Sequence, residues 1–418
     1  MKFEKYPIAA SIKKNLDAAG FKRPTDIQFK AIPSILKGED VLAVAQTGTG
    51  KTAAFAIPVV DRIHKSKRPG SPTGIQCIVM VPTRELAGQI GAVFNMLSRH
   101  TRVNPFAVYG GVDQDRQIAR LKDGIDILVA TPGRMFDLIS QGAIVLSRVN
   151  TLVLDEADRM LAKGFLEDIQ AIKKKLPQRH QTLFFSATID KEIKKLAFSQ
   201  VKTSAIRIQI APDNPVSRNV SHWVVEMEMD DKRFFLRRFI RDHENDRILV
   251  FVRTRVRAER VAKALERDHI ASATLHGDKD QTERNQVLAR FKAGEERILI
   301  ATDVSARGID IPNLDYVINY DLPDNPENYV HRVGRTGRGT RKGQAFSFCS
   351  PREKLLLNQI QALIHQEILI QPVSSEEYAD ILMDPKDTKG IRQLILFHEA
   401  ETRKKNRKRS KTGKHPFS

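Results

Sequence analysis

The sequence predicts an α/β protein of two tandem domains, each a parallel sheet flanked by helices, followed by a short basic tail. Predominantly apolar runs such as Val41 to Ala45, Ile75 to Val81 and Thr151 to Leu154 recur along the chain, as strands buried on both faces do. Helical patterns alternate with them, the spacing of βαβ units. A chain of 418 residues also exceeds what one core organises. A turn-rich stretch from Ile208 to Arg218, with Pro212, Asn214 and Pro215, separates the two patterns. The expected divisions are a first domain at 1–208, a linker at 209–218, a second domain at 219–372 and a basic, disordered tail at 373–418.

At 41% hydrophobic and 28% charged, the chain is globular and neither disordered nor fibrous. Its formal charge of +19 points to a polyanionic partner. Thr402 to Ser418 holds eight Lys or Arg and no acid, so +11 of that excess lies elsewhere. The two cysteines, Cys77 and Cys349, sit in apolar runs and read as reduced core residues. No metal-ligand spacing surrounds them. The start lacks an apolar signal core and no run approaches membrane-spanning length, so the expectation is a protein of the cytoplasm, or of the nucleus if the cell has one, with no membrane partner.

In chain order, Phe3 to Ala19 has amphipathic helical spacing. The loop from Gly20 to Gln28 feeds a second helix with Thr25 as its cap. Gln28 carries an amide that donates and accepts at once, the chemistry that reads the paired edge of adenine. After the strand Val41 to Ala45 comes Gln46-Thr47-Gly48-Thr49-Gly50-Lys51-Thr52 and then a helix. The glycines let backbone N–H groups curl round a phosphate at a helix N-terminus. Lys51 reaches the β- and γ-phosphates and the Thr52 hydroxyl suits Mg²⁺. Ala45 stands where the usual loop pattern has its first glycine.

Three further strand ends carry small, hydroxyl or basic residues: Pro82-Thr83-Arg84, Gly110-Gly111, and Thr131-Pro132-Gly133-Arg134. Each alone is an ordinary βα turn; together they read as a track for a nucleic-acid backbone. Thr151 to Leu154 then runs into Asp155-Glu156-Ala157-Asp158. Carboxylates crowded at a strand's carboxyl end are costly unless a cation answers them, and nucleotide-borne Mg²⁺ would. The strand Thr182 to Phe185 ends in Ser186-Ala187-Thr188, whose hydroxyls are placed to bond Asp158. In the second half, strands are expected at 248–252, 273–276, 298–302, 316–319 and 345–349, with a last helix from Arg352 to Ile370. That half has no phosphate loop, but His331-Arg332-Val333-Gly334-Arg335-Thr336-Gly337-Arg338 concentrates guanidinium groups. Arginines delivered across a cleft stabilise charge on a transferring γ-phosphate.

These motifs, in this order, resemble the DEAD-box ATP-dependent RNA helicases of superfamily 2, over roughly Phe3 to Pro351. The resemblance implies two RecA-like domains with ATP in the cleft between them. It assigns Phe21 and Gln28 to adenine, Gln46 to Thr52 to the phosphates, and Asp310 to the ribose. Asp155 would hold Mg²⁺ with Thr52, largely through water, and Glu156 would activate the attacking water. Arg335 and Arg338 would be the arginine fingers. Asp158, Ser186, Thr188 and His331 would couple the domains. RNA backbone contacts would come from Pro82, Thr83, Arg84, Gly110, Gly111, Thr131 to Arg134, Arg253, Thr254, Gln281, Arg284 and Thr302. Asp26 departs from the proline usual in the adenine loop.

The family further implies RNA binding without sequence preference, a monomer, and partners in ribosome assembly or RNA degradation. The short flanks and tail are most similar to the bacterial RhlE-like subgroup. A DNA-directed translocase of the same superfamily and a non-catalytic RNA clamp stand as alternatives. Intact Glu156, Arg335 and Arg338 weigh against the clamp.

Overall fold

The computed structural model describes residues 2–45, 48–68, 70, 74–188, 191–210, 216, 219–306, 314–337 and 342–383, the side chains of 304 and 306 excepted. The first sheet consists of β1 (Val41–Ala45), β2 (Cys77–Met80), β3 (Pro105–Val108), β4 (Ile127–Ala130), β5 (Thr151–Leu154), β6 (Gln181–Ser186) and β7 (Ile206–Ile210). Its strands pair in parallel in the order β3-β4-β2-β5-β6-β1-β7. The second consists of β8 (Val220–Glu226), β9 (Ile248–Val252), β10 (Ala273–Leu275), β11 (Ile298–Thr302), β12 (Tyr316–Asn319), β13 (Gly343–Cys349) and β14 (Leu369–Ile370). It is also parallel, ordered β10-β11-β9-β12-β13-β8-β14. Counted from its own first strand, the second order repeats the first. Two copies of one doubly wound topology therefore follow each other, the tandem architecture expected.

Around the first sheet lie α1 (Ala10–Ala18), α2 (Asp26–Leu36), α3 (Lys51–Ser66), α4 (Arg84–Leu97), α5 (Gln114–Lys122), α6 (Pro132–Ser140), α7 (Ala157–Ala162), α8 (Leu166–Lys175) and α9 (Lys191–Gln200). Around the second lie α10 (Lys232–Asp242), α11 (Arg255–Arg267), α12 (Gln281–Ala293), α13 (Asp303–Ala306), α14 (Pro326–Val333), α15 (Lys354–Ile364) and α16 (Ser375–Leu382). Both faces of each sheet are covered, which is why the central strands are largely apolar rather than alternating. On one face of the first sheet, Phe55 of α3 packs at 6.1 Å from Phe94 of α4 and 5.2 Å from Phe185 of β6. Leu154, Phe184, Met135 and Met160 fill the other. Each such side chain contributes about 1.5–3 kcal/mol by leaving water. Among the described residues no helix is long and apolar enough to cross a membrane.

Four boundaries differ from the sequence expectation. Pro7 breaks the predicted first helix: Phe3–Lys5 is a single 3₁₀ turn, Tyr6 is extended, and α1 begins at Ala10. β7 runs to Ile210, inside the expected linker, because pairing with β1 outweighs its alternating, half-exposed pattern. His365, with φ +50°, ends the last predicted helix early, and the chain returns to the sheet as β14. The expected tail also starts too soon. Ser374 caps α16, Tyr378 packs at 5.0 Å from Phe235 and donates to Asp231 at 2.6 Å, and Ile381 is buried. The rest of the tail, 384–418, and linker residues 211–215 and 217–218 lie outside the described residues.

Candidate functional site

Parallel pairing puts every βα turn of a sheet on one edge, and the strand order divides that edge in two. β5, β6 and β1 end in the carboxylates, Ser186 and the phosphate-type loop; β2, β4 and β3 end in the three track motifs. The residues expected at a nucleotide thus share one half of the edge and those expected along a polymer backbone share the other.

In the nucleotide half, Gly48 and Gly50 adopt φ +83° and +92°, left-handed values that favour glycine. Gly50 is doubly constrained, since a Cβ there would collide with Gln28 Nε2. Thr49 lies between the two glycines, and Thr52 follows Lys51 in the first turn of α3. Lys51 is buried and its Nζ donates to the Ala45 carbonyl at 2.6 Å. Thr25 and Gln28 form a reciprocal capping box at the start of α2. Gln28 Oε1 accepts from the Thr25 N–H at 3.0 Å and Nε2 donates to the Gly50 carbonyl at 3.1 Å. The amide therefore ties the adenine-type loop to the phosphate loop, and keeps one N–H and one lone pair, the pair a purine edge needs. Phe21 packs edge-on to Phe3 at 6.3 Å beside this loop. Gln28→Ala is expected to shrink the preference for ATP over GTP about tenfold, the worth of one hydrogen bond near 1.4 kcal/mol. Steady-state kinetics with both nucleotides measure it, and an unchanged ratio removes the adenine role. Gln46 and Thr47 lie outside the described residues.

Asp155 follows β5 and is 3% exposed. Burial, joined by the Glu156 and Asp158 carboxylates, pushes its carboxyl up to about 7 against the pull of Lys51. Glu156 takes φ +52° and caps α7, and its N–H donates to Asp155 Oδ1 at 3.0 Å. Asp158 Oδ2 accepts from the Ala187 and Thr188 N–H groups at 3.2 and 3.3 Å and from the Thr188 hydroxyl at 3.3 Å. The bond from Ser186 to Asp158 expected from the sequence is not made. Ser186 is the last residue of β6 and fully buried, and its Oγ has no partner among the described residues. Backbone N–H groups supply the second link instead.

The second domain brings Arg335, 4% exposed, with Nε on the His331 carbonyl at 3.1 Å. His331 itself is buried on α14. Arg332 is internal scaffolding: it grips Asp303 at 2.6 and 2.8 Å, donates to the Asp321 carbonyl at 2.6 Å and lies 5.0 Å over the Phe251 ring. Arg338 and Asp310 lie outside the described residues. A cavity of about 490 Å³ is lined by Gly48, Lys51, Thr52, Asp155 and Glu156 from one domain and by Arg335 from the other. Lys292 of α12 lines it too. Sequence reasoning missed Lys292 because a lysine near a helix end reads as a solvated surface residue.

In the polymer half, Thr83 caps α4 and Arg84 lies against Gly110 and Gly111. Pro82 offers its carbonyl to Lys163 at 2.9 Å. Thr131 precedes Pro132 and Gly133 at the start of α6, and Arg134 donates to Gln117 at 3.0 Å. Across the interface, a Cβ at Gly111 would come within 3.2 Å of Gln281 Cβ. The ends of β9 and β11 place Arg253, Thr254 and Thr302 on the corresponding half of the second sheet. Arg253 is engaged by Asp324 and Glu353 at 3.2 and 3.5 Å, Thr254 caps α11, and Thr302 bonds Ser305. Arg284, expected at the RNA backbone, contacts protein groups of both domains here. Its Nε and Nη2 grip Glu85 of the first domain, and Nη1 reaches the His276 carbonyl and Ser305. It is an interdomain tie in this arrangement, and Glu85, its partner, was not singled out from sequence.

The family model described as DEAD/DEAH box helicase matches residues 25–196, and that of the helicase conserved C-terminal domain matches 231–340. The chain is 40% identical over 359 residues to the DEAD-box ATP-dependent RNA helicase CshA of Bacillus cereus, covering 86% of this chain and 67% of that one. Among solved structures, S. cerevisiae Dbp5 bound to RNA and ADP BeF3 is 29% identical with a TM-score of 0.81, covering 91% of this chain and 100% of that one. Mss116 bound to ssRNA and AMP-PNP is 27% identical with a TM-score of 0.82, over 95% and 85%.

Proposed function

From its membership of the DEAD-box family, which makes this chain an ATP-dependent RNA helicase, we propose a division of labour across the interdomain cleft. Lys51 and the loop N–H groups hold the phosphates, with Gln28 and Phe21 on adenine. Thr52 and Asp155 would hold Mg²⁺: both line the cavity, a hydroxyl and a carboxylate are the oxygen donors that ion takes while keeping several waters, and the cation would answer the crowded carboxylates that burial otherwise penalises. Mg²⁺ neutralises phosphate charge when bound with the nucleotide. Glu156 takes the proton of the attacking water, and Arg335 meets the charge that develops on the γ-phosphate. Asp158, through Ala187 and Thr188, links α7 to the turn after β6.

Each ligand contacts both domains, so each favours closure and thereby the other's binding, reciprocally. RNA is held along the paired strand ends by its backbone, and closure on one strand separates a short duplex locally or displaces a bound protein. The protein acts in the cytoplasm as a monomer on these terms.

The observation that carries this is the single cavity shared by Lys51, Asp155, Glu156 and Arg335. Arg335→Ala should lower kcat by about 10³ or more, with the KM for ATP within a few-fold of wild type. RNA-stimulated phosphate release measures both. An equal loss in affinity and turnover would make Arg335 a ground-state binding residue instead.

A further inference from the structure

The carboxylate of Glu156 is not free in its site. Oε2 accepts from Arg159 Nη1 at 2.7 Å, one helical turn further along α7, and both side chains are buried, at 8% and 5% exposure. Arg159 Nη2 is buried with no partner among the described residues. A guanidinium taken out of water with a donor unused is a cost that packing alone does not call for. The apolar work of α7 is done by Ala157 and Met160. The ends of α7 are also tied down. Asp158 is bonded at 187 and 188, and Lys163, just past the helix, donates to the Pro82 carbonyl of the RNA track at 2.9 Å.

We propose that Arg159 is the positioning residue for the hydrolytic base: it grips Oε2 of Glu156 and leaves Oε1 toward the cleft that Glu156 lines. Glu156 has Asp155 and Asp158 within two positions, and like charges repel. Arg159 is the cation that answers Glu156, fixing one rotamer of a carboxylate that its neighbours would otherwise push aside. The anchored helix passes that rigidity on, so the base keeps its place when RNA engages the Pro82 turn. Misplacement of a catalytic group by about 1 Å costs about 10²-fold in rate, which sets the scale. The inference rests on Glu156 being the base.

The test is RNA-stimulated ATP hydrolysis by Arg159→Gln, Arg159→Lys and Arg159→Met, the last keeping apolar bulk should Gln prove unstable. Gln and Met should lower kcat by about 10- to 100-fold with the KM for ATP and RNA affinity within about twofold, and Lys should recover most of the loss. In a Glu156→Gln background, Arg159→Gln should change the residual rate less than twofold. Wild-type kcat in Arg159→Gln and Arg159→Met overturns the proposal, as does a loss shared by KM and RNA affinity or one that persists in full beside Glu156→Gln. If Glu156→Gln itself keeps wild-type turnover, it is the base assignment that falls.

Discussion

Lys51→Ala is expected to abolish RNA-stimulated ATP hydrolysis while leaving the fold intact. The side chain is buried at the first position of α3, and its Nζ sits 2.6 Å from the carbonyl that closes β1. That puts an ammonium in the cradle made by Gly48 and Gly50, where it can meet phosphate oxygens without reorganising. It is also the charge that pulls the Asp155 carboxyl down. Removing it withdraws a phosphate donor and lets burial drive Asp155 further toward its neutral form, so one substitution damages two parts of the site. Removing one such donor costs about 10²–10³ in rate, and the second effect adds to it. Alanine is a strong helix former at that position, so the melting curve should change little. Phosphate release under saturating RNA is the measurement, with thermal melting as control. A folded variant with wild-type kcat would remove the phosphate assignment.

The sequence made the sheets legible because strands buried on both faces must be apolar without interruption, and β1, β2, β4 and β9 are. Caps were legible for the same local reason: Thr25 and Gln28 close a box within four residues. What escaped were features whose partners are distant or whose pattern is weak. β7 alternates because it is an edge, and only its register with β1 identifies it. α16 follows Pro372 and carries Glu376 and Glu377 in its first turn, so composition alone placed it in a solvated tail. Tyr378 and Ile381 hold it against α10, which no local signal announces.

The site divides in the same way. Glycine positions were predictable because φ near +90° leaves few alternatives, as at Gly50. Side-chain pairings between the two domains were not. Arg284 lies 199 residues from Glu85 in sequence, and its pairing with that carboxylate is a product of docking. Arg332 and Arg335 look alike in the sequence, three positions apart. The family resemblance picks Arg335 and passes over Arg332, and the structure gives the reason, one being clamped on Asp303 and the other lining the cleft. Ser186 and Thr188 are separated likewise: a residue still inside β6 keeps its side chain in the core, and one past the strand's end can turn toward Asp158.

Glu156→Gln should give a protein that binds ATP and RNA together and does not let go. Glutamine keeps the shape and can still accept a hydrogen bond from Arg159, so the αL turn at 156 and the start of α7 should persist. What is lost is the charge, and with it the ability to take a proton from water, worth about 10²–10⁴ in rate for general base catalysis. The substitution also removes one of the carboxylates that push Asp155 up. Asp155 then ionises more readily, and nucleotide binding with Mg²⁺ should be undiminished or tighter. Binding is intact and the chemical step is blocked, so the state closed on both ligands, which we propose hydrolysis opens, should persist. The predicted result is an RNA complex whose dissociation in the presence of ATP slows at least as much as hydrolysis does, followed by fluorescence anisotropy after adding competitor RNA. Failure to bind ATP would show that Glu156 holds the nucleotide rather than the water. Rapid RNA release with hydrolysis blocked would uncouple turnover from opening, and so separate the two halves of the strand-end edge that the fold places side by side.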